Sequence, residues 1–355
     1  MENEENFTVS VIIPMYNTEK YIGECLQSLL KQTLKNFEVI VVDDCSTDKS
    51  LKVAEKMFPA FKSKNLKLST VAINKNTGCP GIPRNIALNI AEGKYIYFLD
   101  SDDFLDETVL EDFYKAAEEF DADIVHAQKS FGHIETDGNF KTTLINLEKV
   151  DHVEKPTLDT SDISQRVVDF IGKKYTSWVW NKFFRREFLI ENGIKFPATL
   201  VAEDFVFLLV CFSLAKNYVN IPFVGHHYRK REGSVTKSAA TAAVASLNLI
   251  EGVHALDSFM QQHEIFVKNP DYQYLTMDVF DQKFSDLLSK HLFFNMDLEP
   301  GEVYDFYRKE IFTVNPQKNI PLTAYLFISK NIYKMLVNQQ AAEIAQLKQI
   351  IKELK

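Results

Sequence analysis

Four short apolar runs recur through the N-terminal part of the chain: Val9 to Pro14, Phe37 to Val42, Leu66 to Ile73 and Tyr95 to Leu99. Each has the length of a buried strand rather than a helix. Between them, apolar residues fall at helical spacing: Tyr21, Ile22, Cys25, Leu26, Leu29 and Leu30, then Leu51, Ala54, Met57 and Phe58 behind the capping signal Ser46-Thr47-Asp48. A further helix is predicted from about Pro83 to Ala91, stopped near Gly93. Strands alternating with helices of this length predict an α/β chain whose mainly parallel sheet is covered on both faces. Such sheets bind ligands outside the carboxyl ends of their strands. Asp43-Asp44, the segment Asn74 to Gly78, and Asp100-Ser101-Asp102-Asp103 all lie at those ends and should meet in one crevice. Three carboxylates so close together repel one another unless something positive sits among them. Hard divalent cations such as Mn²⁺ or Mg²⁺ take carboxylate oxygen together with substrate phosphates, so this turn reads as a metal-diphosphate site.

The chain, at 355 residues, is long enough for one large α/β domain and a smaller second unit. Its net charge of -9 leaves no basic stripe to dominate phosphate contacts, which argues against nucleic acid as a partner. Cys25, Cys45, Cys79 and Cys211 stand singly, without the close pairs of a zinc or redox site. The acidic start, Met1 to Asn6, lacks a secretory pattern, and the longest apolar run, Phe205 to Ala215, falls short of the roughly 20 residues that span a bilayer. A soluble, cytoplasmic protein is expected. Further along, the pattern predicts a strand near Asp123 to Gln128, an irregular polar stretch to about Lys155, and a helix from Ser161 to Ile171. Beyond Ala239 the composition becomes helix-rich, so the domain boundary is placed near Ser234 to Ala240, dividing the chain into 1–235 and 236–355. Ile344, Leu347, Ile351 and Leu354 then step by three and four. That spacing fits either a short terminal coiled coil joining copies of the chain into a homo-oligomer or a packed amphipathic helix.

The segments Ser10 to Asn17, Val41 to Asp48, Pro83-Arg84-Asn85 and Leu99 to Asp103, in this order and spacing, resemble glycosyltransferase family 2. The resemblance covers roughly residues 7 to 235. Gly78 to Asn85 and the helical tail look most like the bacterial wall teichoic acid, capsule and lipopolysaccharide glycosyltransferases of that family. It implies a GT-A fold and an inverting, metal-dependent transfer from a nucleoside-diphosphate sugar.

Roles follow from the resemblance and from the chemistry of each side chain. Pro14, Tyr16 and Asn17 would wall the nucleotide base. Asp44 can accept the N3 proton of uracil, with Asn76 in the neighbouring loop, which favours UDP although guanine also offers donors; the alternative is a capping or turn aspartate. Asp100 and Ser101 would lie against the ribose, and Asp102 would hold the cation, with Asp103 able to share it. Arg84 would grip ribose or diphosphate oxygens, or else form a surface ion pair. The aspartate of the pair Glu203-Asp204 matches the family's catalytic base, on a helix start that would stabilise carboxylates in any case. In Ser177 to Phe183, which resembles the acceptor side, Trp180 could stack on a sugar face near Glu203 or else be a core tryptophan, with Trp178 the weaker candidate. In the basic run Gly225 to Thr236, His227 or His226 would reach the metal and Arg229 would neutralise phosphate.

The implied function is transfer of a hexose or N-acetylhexosamine from a UDP-sugar to a hydroxyl of a glycan or lipid-linked glycan. The latter would be met at the inner face of the cell membrane, through peripheral association. Two rivals remain at this stage. A nucleotidyltransferase making a sugar nucleotide would need a glycine-rich basic loop after the first strand, where this chain has Pro14 to Thr18. A catalytically silent scaffold would have no need of Asp102 and Asp204.

Overall fold

The computed structural model describes residues 7–136, 139–146, 152–171, 175–200, 203–230 and 255–272, with a few further positions beyond. Among the described residues twelve strands appear in chain order: β1 Val9–Met15, β2 Phe37–Asp43, β3 Lys67–Ala72, β4 Tyr95–Phe98, β5 Phe104–Leu105, β6 Ile124–Ala127, β7 Lys129–Thr136, β8 Asn139–Asn146, β9 Thr157–Leu158, β10 Lys182–Arg185, β11 Tyr218–Ile221 and β12 His226–Lys230. Eight of them form one sheet in the order β3-β2-β1-β4-β10-β6-β11-β9, and β5-β12-β7-β8 form a second. The four predicted strands are β1 to β4, paired in parallel with one another, as expected of strands linked by helices. β10 enters antiparallel between β4 and β6, and β9 closes the far edge antiparallel to β11.

Among the described residues up to 214 the helices are α1 Ile22–Leu30, α2 Ser50–Glu55, α3 Phe58–Ser63, α4 Gly81–Ile90, α5 Val109–Glu119, α6 Ile163–Ile171, α7 Arg186–Glu191 and α8 Glu203–Leu214, and a short helix, Glu264–Val267, lies further on. Side-chain alternation along β1 divides the core. Val11 and Ile13 pack with α1 and α5, whereas Ile12 packs with α4 and α8 on the opposite face. The predicted helix after Asp48 is two pieces, because Pro59 at the start of α3 cannot occupy a helix interior. Within the stretch expected to be irregular before Lys155, 129–136 and 139–146 instead pair antiparallel as β7 and β8, with Thr136 paired to Asn139.

The expected boundary near 234–240 lies outside the described residues, as does all but a few isolated helical positions of the terminal segment 338–355. Among the described residues, no helix is long and apolar enough to cross a membrane.

Candidate active site

α8 carries two carboxylates in its first turn and apolar residues on every side behind them. Nine of its twelve residues, Phe205 to Ser213, are buried, so the helix cannot rotate or withdraw without exposing core. Arg166 fixes the opposite end by donating from Nη1 to the Phe212 and Ala215 carbonyls, the first at 2.9 Å. The first turn is therefore a rigid mount for Glu203 and Asp204, at the helix end whose partial positive charge suits anions.

Arg84 brings this mount to the acidic turn. Its Nη1 donates to Asp204 Oδ1 at 2.7 Å and its Nη2 to Asp100 Oδ1 at 2.9 Å, while Glu203 Oε1 lies 3.6 Å from Nη1. The motif around Arg84 explains how it gets there. A Cβ on Gly81 would stand 2.8 Å from the Pro197 carbonyl oxygen, so glycine lets α4 start hard against the 196–197 segment. Asn85 then holds that segment like a second backbone, donating to Phe196 O at 2.9 Å and accepting from Phe196 N–H at 3.0 Å. The Phe196 ring lies under the guanidinium at 5.2 Å and stacks on Phe207 of α8 at 3.9 Å. Arg84 is thus enclosed, with 3% exposure, rather than displayed to a phosphate as expected. Burial pushes Glu203 up to about 8, with the Asp204 charge adding to the rise and Arg84 opposing it. Burial also raises Asp204, and Arg84 is the chief group pulling it back.

The three carboxylates after β4 have separate tasks. Asp100 meets Arg84. Asp103 is buried and turned toward the second sheet, where Oδ1 accepts from Arg229 N–H at 2.8 Å and Oδ2 lies 2.9 Å from His226 Nε2. His226 is fully buried, its other nitrogen 2.8 Å from the Tyr97 hydroxyl. Burial lowers its pKa well below the ordinary value, which favours a neutral ring whose two nitrogens are taken up by the Tyr97 hydroxyl and the Asp103 carboxyl. Asp103 is accordingly no candidate to share a cation, and neither is His226. His227 also has both nitrogens engaged, with Asp106 Oδ1 at 2.9 Å and His133 Nε2 at 2.8 Å, and its ring stacks on Phe104 at 4.3 Å. In this arrangement it has no nitrogen left for a metal. Arg229 points its guanidinium at Glu24 of α1, 2.6 Å away, and over Phe104. Asp102, like Asp100, is partly exposed. Among the described residues, no three acidic, imidazole or thiol groups converge as a ready metal cage.

On the nucleotide side, Asp44 is nearly buried and gathers the 74–78 loop. Oδ1 accepts from Thr77 N–H at 2.8 Å, and Oδ2 accepts from the Thr77 hydroxyl at 2.9 Å and from Asn76 Nδ2 at 3.2 Å. A carboxylate has about four lone-pair sites, so one acceptor direction is left over. Gly78, at φ +76°, turns the loop in the left-handed region that glycine tolerates. Asn17 accepts from Thr47 N–H at 2.8 Å and so staples the loop after β1 to the loop after β2. Ser101 does likewise for the acidic turn, its hydroxyl accepting from Thr18 Oγ1 at 3.1 Å. Pro14 is buried within β1, beyond the last pairing with β4, whereas Tyr16 is 45% exposed at the rim.

Trp180 has no open face, being 3% exposed and stacked at 5.2 Å on Trp178, 5.5 Å on Tyr228 and 4.4 Å on His226. Trp178, at 38% exposure, presents the outer ring of this stack. Of the two tryptophans, Trp178 is the exposed ring and Trp180 takes the core position. Sequence reasoning also passed over Lys182, fully buried at the start of β10, which was signalled only by a lone lysine set between Trp180 and the apolar pair Phe183-Phe184.

Residues 10–191 match the model of glycosyl transferase family 2. The poly(ribitol-phosphate) beta-N-acetylglucosaminyltransferase TarS of Staphylococcus aureus is 34% identical over 235 residues, 65% of this chain and 37% of that protein. The glycosyltransferase GlyG of Streptococcus pneumoniae is 39% identical over 243 residues, covering 65% of this chain and 73% of the relative. The matched part of the chain spans about a third of the length of the TarS relatives and of a Bacillus spizizenii poly(ribitol-phosphate) beta-glucosyltransferase. The crystal structure of S. aureus TarS 1-349 in complex with UDP-GlcNAc aligns with a TM-score of 0.66 at 26% identity, covering 92% of this chain and 88% of that one. With the family match taking in half of its length, and the acidic turn and α8 mount described above in place, the chain belongs to glycosyl transferase family 2.

Proposed function

We propose that the chain transfers a hexose or N-acetylhexosamine, with inversion, from a UDP-sugar to a hydroxyl of a bacterial surface glycan, with poly(ribitol phosphate) the favoured acceptor class. The observation that carries this reading is the Arg84 clamp, which joins Asp100 of the acidic turn to Asp204 at the buried start of α8. Donor-side and base-side carboxylates are thereby held against one cation. Support for a UDP-sugar comes from the remaining acceptor direction on Asp44 and from the UDP-GlcNAc complex of the similar TarS structure. The residues also fit a divalent ion held as Mg²⁺ commonly is, by one or two carboxylates plus substrate phosphates. Asp102 would be the carboxylate, and Mn²⁺ or Mg²⁺ so bound would supply charge neutralisation to the departing diphosphate.

In the reaction, the Asp204 carboxylate takes the proton of the acceptor hydroxyl as that oxygen bonds to the anomeric carbon. The bond from that carbon to the diphosphate breaks on the opposite face, and UDP leaves with the electron pair. One displacement inverts the centre and needs no covalent enzyme intermediate. Trp178 offers the exposed aromatic face on which an acceptor can rest. A lipid-linked acceptor would be reached at the inner face of the membrane, and the segment after 338 is the candidate for self-association.

Asp204→Asn tests the reading, since it keeps size and polarity but removes basicity. Transfer should fall by at least about 10²–10⁴-fold, the usual worth of a general base, with UDP-sugar affinity close to that of the parent. Transfer retained within about tenfold would move the role elsewhere.

A further inference from the structure

β12 starts where the chain runs hard against the segment that follows the acidic turn. A Cβ on Gly225 would collide with the Asp106 side chain, and the Gly225 carbonyl accepts from Asp106 N–H at 2.7 Å. With glycine there, the next two residues, His226 and His227, pair with Leu105 and Phe104 of β5, directly behind the turn. Alternation along the strand sends His227 to one face and His226 with Tyr228 to the other. His226 is fully buried on its face, at 0% exposure.

There it meets two parts of the site at once. Its Nε2 lies 2.9 Å from Asp103 Oδ2, while Asp103 Oδ1 accepts from Arg229 N–H at 2.8 Å, so one carboxyl is tied to β12 at two points. Asp103 N–H donates to Asp100 O at 3.0 Å and closes the turn, which leaves Asp102 carried between two fixed ends. The flat side of the same imidazole stacks on Trp180, with ring centres 4.4 Å apart and planes 16° from parallel. Tyr228 extends that support at 5.5 Å, and Trp180 in turn stacks on Trp178 at 5.2 Å and 10°. An apolar ring could support Trp180 but would take away the partner of Asp103 Oδ2, and a buried polar atom left unpaired is costly. A polar side chain without a ring could meet Asp103 but would leave Trp180 unsupported. Imidazole supplies both contacts.

We infer that His226 is a positioning residue for both substrates: through Asp103 it sets the turn that carries Asp102, and through Trp180 it sets the Trp178 ring that meets the acceptor. The inference rests on the readings of Asp102 as cation ligand and Trp178 as acceptor platform. Its consequence is that the two duties separate by substitution. His226→Phe keeps a ring against Trp180 and removes the partner of Asp103. His226→Gln keeps an amide near the Nε2 position, able to donate or accept, and removes the ring.

The experiment uses the full-length parent, these two variants, Asp102→Ala and Trp178→Ala. It measures binding of Mn²⁺ in the presence of UDP by calorimetry, and acceptor KM with UDP-GlcNAc and a synthetic ribitol-phosphate oligomer. In His226→Phe, Mn²⁺ affinity should fall about tenfold, the low end for loss of a contact behind a metal ligand because Arg84 and the Arg229 amide still hold the turn, with acceptor KM unchanged. In His226→Gln, Mn²⁺ affinity should match the parent's and acceptor KM should rise about two- to tenfold, the worth of one aromatic pair. Trp178 and Trp180 are the two tryptophans of the chain, so acrylamide quenching reads the stack directly. It should increase in His226→Gln and not in His226→Phe. A folded His226→Phe with the parent's Mn²⁺ affinity, a folded His226→Gln with the parent's acceptor KM, or equal losses by both variants on both readouts overturns the inference. Failure of both to fold also overturns it, by assigning His226 to stability alone. Parent-like Mn²⁺ binding in Asp102→Ala, or parent-like acceptor KM in Trp178→Ala, defeats the reading of that residue itself. With both of those readings standing, losses that do not separate between the His226 variants defeat only the role of His226.

Discussion

Replacing Arg84 by methionine keeps most of the stem over Phe196 and removes the charge that joins three acids. In the parent, Nη1 and Nη2 sit 2.7 Å and 2.9 Å from Asp204 and Asp100, with Glu203 at 3.6 Å. Breaking a buried pair by deleting one partner costs about 3–5 kcal/mol, because the other charge is stranded. Here the Asp100 and Asp204 side chains keep 30% and 20% exposure, so water relieves part of the penalty. We therefore take the lower end, about 3 kcal/mol at neutral pH. For a domain of this size that corresponds to a fall in Tm of roughly 6–12 °C. The dependence on pH identifies the cause. Burial already raises Asp204, and Arg84 is the main group opposing the rise. Without Arg84 the folded variant binds a proton at higher pH than the parent does, so its stability gains on the parent as pH falls from about 7 toward about 4.5. Urea unfolding of both proteins across that window measures the difference. An equal loss at both ends would refute charge compensation and leave only the contact with Phe196. Arg84→Lys should recover part of the loss, since one ammonium lacks the fork that spans both acids.

Asp102→Ala should abolish transfer and weaken UDP binding in Mn²⁺ while leaving affinity in chelator unchanged; calorimetry showing equal losses in both would point to a direct nucleotide contact. Glu203, pushed up to about 8 chiefly by burial, keeps a proton in the folded state that the unfolded chain releases near its ordinary value. Parent stability should therefore fall as pH rises from about 4.5 to about 8, and Glu203→Gln should flatten that slope; parallel Tm curves for the two proteins would contradict the shift. Trp178→Ala should raise acceptor KM with donor KM unchanged, whereas Trp180→Ala, which opens a buried stack, should lower Tm. Identical acceptor kinetics in Trp178→Ala would remove the aromatic platform from the site.

The strands β1 to β4, their parallel pairing and the placing of Asp44 and Asp100–Asp103 at the strand ends were legible in the chain itself, because they follow from local periodicity. Some features were legible and missed. Asp137-Gly138 is a two-residue hairpin signal between the stretches that became β7 and β8, and Pro59 announces the break between α2 and α3. Other assignments had no local signal. Which of Asp100, Asp102 and Asp103 faces the cleft depends on partners far along the chain, Arg84 for the first and His226 with Arg229 for the last. The same holds for Trp180, hidden by Tyr228 and His226, and for His227, held by Asp106 and His133. Motif spacing names the residue types because the chemistry demands them. Tertiary packing alone decides which acid is clamped, which is buried and which meets the substrate, since burial and a neighbouring charge act through space and not along the chain.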